Sequence, residues 1–263
     1  MMNKQFLGGA VLIAGSFAAF SASAVPLIDS YVGSNAYGHG DAIGLDSYFD
    51  IERAEVERGN GLLTVDVYTN FVGHVGVYPS ATPGGIGYGD LFLGGHWTPF
   101  GNAGDKYASD NASNGTHWTY GLSFDDRWST GASGTFTLYA LDSLNNLDNV
   151  MLTDEFFGNN VTVRRGQAVA VDRSSSTVRS LKSGTWSIDE PTNRLTFMLD
   201  LSGLESLAMD EYLSLHWGML CNNDAIEGGV ELPSVPEPAV LSLLGLGLFS
   251  ALTPRRPRKT MIA

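Results

Sequence analysis

The chain has 263 residues, 32 of them glycine, with 28 acidic side chains against 15 basic ones and a formal net charge of −13. Such an excess of acid repels phosphate backbones and argues against nucleic acid as a partner, while it suits divalent cations and a hydrated extracellular setting. The single cysteine, Cys221, excludes an internal disulfide, so core packing must hold the fold, with a bound ion as the available staple.

The N-terminus reads as an export signal. Lys4 supplies a positive start, Phe6 to Phe20 an apolar run, and Ala22 and Ala24 the small residues of a cleavage site before Val25. A buried N-terminal helix would not need charge, apolar run and small residues in that order. Residues 1–24 are therefore set aside as a signal peptide. Residues 25–235 contain no Pro/Ser-rich linker or block of charge and are expected to form one domain.

That domain reads as strands. Ala54 to Arg58 is joined to Leu62–Asn70 through Gly59, Asn60 and Gly61, a hairpin turn, and Leu63, Val65 and Val67 alternate with polar residues. The long Gly-, Pro-, Asn- and Asp-rich stretch from Val72 to Gly115 is the place to look for a ligand. Within it, Gly84-Gly85-Ile86-Gly87-Tyr88-Gly89 superficially matches a dinucleotide loop, but no helix follows and it reads as a turn. Further alternation marks Trp118 to Phe124, Phe136 to Ala140, Leu195 to Leu201 and Leu213 to Met219. Val161–Val163 and Val169–Val171 read as a hairpin around Arg164, Arg165 and Gly166. Short helices are expected only within Leu141 to Phe157 and Leu204 to Met209. Many short strands with Gly-rich turns imply an all-β sandwich or jelly roll, with a closed barrel as the alternative.

Catalytic signatures are missing: there is no G-x-S-x-G, S-x-x-K, H-E-x-x-H or P-loop. His96-Trp97, His117-Trp118 and His216-Trp217 repeat one dipeptide, which reads as tryptophan anchoring the core with histidine on the opposite face. The sharper readings are a zinc site, which the absence of H-x-H or closely spaced histidines disfavours, or an aromatic platform for sugar made by Trp97 and Trp118 with the 72–115 loop. Carboxylates set among Gly- and Asn-rich loops suggest calcium, with Asp41, Asp46, Asp50, Asp90, Asn223 and Asp224 as candidate ligands. Solvated turn residues are the competing reading for each. With Lys4 and the four tail cations set aside, ten basic residues face 28 acidic ones, a net −18, and a divalent ion would relieve that repulsion.

Residues 236–259 are unlike the body. Pro236-Glu237-Pro238 precedes Ala239 to Leu252, fourteen residues without charge, and then Arg255, Arg256, Arg258 and Lys259. As a helix fourteen residues cover roughly 21 Å, short of the ~30 Å hydrocarbon core. The basic cluster would hold such a segment from the cytoplasmic side. Motif, apolar segment and basic cluster in this order resemble a PEP-CTERM sorting signal. The stretches Leu62 to Asn70, Gly89 to Leu93 and His216 to Gly228 are, more weakly, similar to PEP-CTERM substrates of unassigned function. The resemblance implies processing by an exosortase, a transient inner-membrane precursor, and delivery to the cell surface or outside it. It also implies an association with exopolysaccharide and biofilm, without catalysis by the chain itself. A secreted carbohydrate-binding module or carbohydrate-active enzyme is the alternative.

Overall fold

The computed structural model describes residues 23–34, 40–158 and 160–233. Most of the expected signal segment, with Ala22, and all of the expected sorting signal (Pro236 to Pro238, Ala239 to Leu252 and Arg255 to Lys259) lie outside these residues. The described residues contain twelve strands and little helix.

β1 (Val25–Ile28) begins at the residue that follows the expected cleavage point, and Ser23 and Ala24 before it are exposed. After the single turn of α1 (Asp46–Phe49), β2 (Ile51–Gly59) pairs with β1 and turns into β3 (Leu62–Thr69). Asn60 and Gly61 make that turn with φ of 53° and 76°, the two positive values that match the twist of a tight hairpin. The long loop is not wholly irregular, because β4 (Leu91–Gly94) crosses it, fully buried. β5 (Tyr120–Phe124) and β6 (Ser133–Leu141) follow as an antiparallel pair. Next come β7 (Val150–Leu152), α2 (Thr153–Phe156), β8 (Ala168–Val171), β9 (Val178–Asp189) and β10 (Arg194–Asp200). The chain closes with α3 (Glu205–Met209), β11 (Tyr212–Gly218) and β12 (Ala225–Glu231).

Ten strands form one antiparallel sheet in the order β1-β2-β3-β10-β9-β6-β5-β4-β11-β12, and β7 pairs with β8 separately. β1 and β12, the two edges, lie side by side without a ladder between them. The sheet is therefore curled nearly into a barrel. The expected two-sheet sandwich is corrected: alternation along a strand reports a buried face, and one sheet wrapped on itself buries the same residues as two sheets packed together. The interior takes Val56, Val65, Leu122, Phe136, Phe197, Leu215 and the fully buried Trp186 and Trp217, with Cys221 also inside.

A second apolar cluster lies outside the sheet. Phe92, Trp118, Val150, Ala168 and Val171 pack together where β7 and β8 cover the outer face. That cover corrects another expectation. Val161 to Val163 is not a strand, and β8 takes β7 as its partner instead. The presumed turn is engaged elsewhere: Arg164 reaches the backbone of residues 40, 41, 222 and 223, and the Gly166 N–H donates to the Asp154 carboxylate.

Candidate functional site

Three loops meet beside the end of β11. Residues 40–44 cross the connection from β11 to β12, where the Ile43 N–H donates to the Asn223 carbonyl at 2.7 Å. Residues 160–164 come in from the other side. Arg164, 1% exposed, donates through Nε to the Asn222 carbonyl and through Nη2 to those of Gly40, Asp41 and Asn223. One guanidinium thus gathers the carbonyls of the two loops that carry the expected calcium ligands Asp41, Asn223 and Asp224. Its burial lowers its pKa, and the charges of Asp224, Asp41 and Asp29 push it back up.

Around this guanidinium sit three carboxylates. Asp29, Asp41 and Asp224 each present an oxygen within 4.8 Å of the other two. Asp224 is almost wholly buried. Its Oδ2 accepts from the Ile51 N–H at 2.7 Å and its Oδ1 from the Ala225 N–H at 2.9 Å, which fixes the carboxylate at the start of β2 and of β12. Asp29 accepts from the Tyr31 N–H, and Lys106 Nζ lies 3.0 Å from Asp41. Burial raises the pKa of both Asp29 and Asp224. The neighbouring carboxylates add to it, Asp224 and Asp41 acting on Asp29, and Asp41 on Asp224. Carboxylates whose ionised form is this disfavoured need either protons or a further cation.

Asn223 lines a cavity of about 530 Å³ beside the triad, with Ile43, Phe49, Tyr78, Ile86 and Val163. Its side-chain Oδ1 is buried without a hydrogen-bond partner.

Comparison with family models, with curated proteins and with solved structures returns no match.

The expected calcium ligands divide. Asp41 and Asp224 belong to the triad, and Asn223 adjoins it. Asp46 is exposed on α1, and half-buried Asp50 faces its charge and that of Asp41, which with burial raise its pKa. Asp90 belongs to a different centre altogether. Fully enclosed, it accepts from Ser123 Oγ, the Phe124 and Val171 N–H groups and Arg127 Nη2, a set that leaves no place for an ion. Asp29 was missed because a lone Asp after an apolar strand carries no local signal. Arg164 was missed because it reads as a turn residue.

The aromatic platform also changes place. Trp118 is 2% exposed and packs beside Phe92 and His216, so it offers no face to a sugar. Trp97 is half-buried, donating through Nε1 to Glu227 at 3.0 Å. His216 is not on an open outer face but under β7 and β8. Its Nε2 lies 2.9 Å from the Ala168 carbonyl and so carries a hydrogen, and its Nδ1 lies 2.9 Å from Glu227 Oε2, sharing a proton with it. Thr116 also donates to Glu227, and Tyr31 to Asp110, whose pKa is pushed up to about 6 by burial and by Glu227. These groups tie the N-terminal segment and the long loop to the sheet.

Proposed function

We propose that the chain is an exported bacterial surface or matrix protein, sorted by an exosortase, whose β domain binds and does not catalyse. The observation that carries this is the ordered tail: Pro236-Glu237-Pro238, the uncharged segment Ala239 to Leu252, and Arg255, Arg256, Arg258 and Lys259. The limits of the fold support it. β1 starts at Val25 and β12 ends at Glu231, so the sheet fits between the two processing points and loses no strand to either. Among the described residues no helix is long and apolar enough to cross a membrane.

Proline lacks an N–H and fixes φ, so a Pro-Glu-Pro run disfavours helix and suits a cleavable site. On this reading, replacing Pro236, Glu237 and Pro238 with alanine leaves an uncut precursor in the inner membrane. Mass spectrometry of surface protein is then expected to find no peptide beyond the motif. Surface protein that still ends in Arg258 and Lys259 would overturn the proposal.

The acidic triad has a place in the same reading. A divalent cation among Asp29, Asp41 and Asp224 would do outside the cell what a disulfide cannot do in a chain with one cysteine. It would join the N-terminal segment, the 40–44 loop and the β11–β12 connection.

A further inference from the structure

A depression of about 600 Å³ on the outer surface is bordered by the β5–β6 turn and by the residues after β8. Its volume is in the roughly 300–1,000 Å³ range of small-molecule sites. Trp128 lies in it, 37% exposed, yet the ring is held firmly. Indole Nε1 donates to the Gly85 carbonyl at 3.0 Å. The pyrrole half rests on the 84–87 loop, where a Cβ at Gly84 or Gly87 would come within 3.1 or 3.2 Å of it. The glycine repeat that superficially matched a nucleotide loop is thus a bed for one tryptophan. A ring so fixed and still open to solvent is a preorganised contact surface, with little entropy left to lose on binding.

The polar groups around the ring define what it would hold. Arg127 is committed to Asp90, and Arg173 to Ser123 and the Phe124 carbonyl. Both guanidiniums are therefore engaged within the fold, and neither faces a ligand as a free donor. Asp126 and Asp172 line the same depression with one carboxylate oxygen each outside their own turns, and Asp125, whose two oxygens accept from Thr135 and Thr137 of β6, keeps further lone pairs. Such a rim accepts hydrogen bonds. It repels an acidic sugar, since Arg127 is paired with Asp90 and Arg173 alone is set against the three carboxylates. An aromatic face beside hydroxyl-accepting groups fits a neutral pyranose, whose C–H face packs on the ring while its hydroxyls donate to the carboxylates.

We propose that this depression binds a neutral saccharide unit, with Trp128 as its platform and Asp125, Asp126 and Asp172 as its acceptors. The choice of a polysaccharide partner rests on the surface-protein reading above, but the binding site does not depend on sorting. Calorimetry on the full chain in mild detergent, at fixed calcium, tests the site directly. Cellohexaose, maltohexaose and laminarihexaose serve as neutral probes, a hexamannuronate as an acidic one and a lysine-rich peptide as a cationic one. At least one neutral hexasaccharide is expected to bind. Trp128→Gln is expected to weaken that binding by about tenfold or more, equivalent to roughly 1.4 kcal/mol, and Trp128→Phe less. Should either variant fail to fold, the indole N–H resonances of the unaltered chain decide, because the sugar must shift the Trp128 signal and leave that of Trp97 in place. Binding of the hexamannuronate or the peptide alone, or of none of the probes, would overturn the proposal. A failed tail-processing experiment would leave it standing, and the reverse also holds.

Discussion

Asp29 and Asp224 show how a single side chain can link the fold to its surroundings. Their pKa values are raised from 3.8 to about 9 and about 7, chiefly by burial. The folded chain therefore holds protons that the unfolded chain releases, and stability falls with rising pH wherever the native state binds more protons than the unfolded one. Without metal, the contribution of these groups is fully present below about pH 4 and is lost as pH rises through about 7 and then about 9. Asp110, raised to about 6, adds to the early part of that loss. A cation that replaces the protons reverses the trend only where the carboxylates are ionised. Calcium is thus expected to raise the melting temperature at pH 8 and to leave it unchanged at pH 4.5. At a hundredfold excess over Kd the linkage is about 2.7 kcal/mol, or roughly 5–10 °C for a domain of this size. Thermal melts in calcium and in chelator at the two pH values check this, and identical curves at pH 8 would exclude the ion. Asp41 and Asp224 could be picked out in the sequence by their glycine- and asparagine-rich surroundings. Asp29 and Arg164 could not, because what recruits them is the meeting of loops far apart in the chain.

At the scale of elements, short-range signals transferred well to the structure and long-range ones did not. The turn at Asn60 and Gly61 was legible because its backbone demand and the alternation on either side are local. So was the short helix α3, within the expected Leu204 to Met209. The supposed hairpin around Arg164 failed because valine pairs state a strand preference without naming the partner. β8 is also docked on the sheet by Asp90, which takes the Val171 N–H of β8 and the Phe124 N–H of β5 on one carboxylate. Removing that carboxylate strands several buried donors and leaves Arg127 without its counter-charge. Asp90→Ala is expected to cost about 3–5 kcal/mol, the usual effect of breaking one side of a buried pair. Adding Arg127→Met should recover part of this, since the uncompensated cation goes too. Urea denaturation of both variants checks the coupling, and strictly additive losses would show that Asp90 does not act through Arg127.

The whole molecule is a long sheet brought almost to closure, and its weakest line is the seam between β1 and β12. Every interior strand is held by ladders on both sides, whereas each of these two has a ladder on one side only. Side chains bridge the gap: Leu27 of β1 packs against Gly228 of β12, where a Cβ would come within 2.6 Å of the leucine. The glycine is needed there because the two strands approach through a side chain instead of through hydrogen bonds. Closure is therefore an apolar contact beside the charged triad, and Asp29 follows β1 directly. Hydrogen exchange should be fastest, among the sheet's amides, along the free edges of β1 and β12 and slowest in β3, β10 and β9. Leu27→Ala, which loses a half-buried side chain and opens the seam, should cost about 1–2 kcal/mol and speed exchange in β1 and β12 ahead of the rest. Calcium, by holding Asp29 to Asp224 across the start of β12, should slow the same amides in the unaltered chain and restore part of the protection in the variant. Exchange that slows evenly over all ten strands, or not at all at the seam, would show that closure and the acidic triad are not coupled.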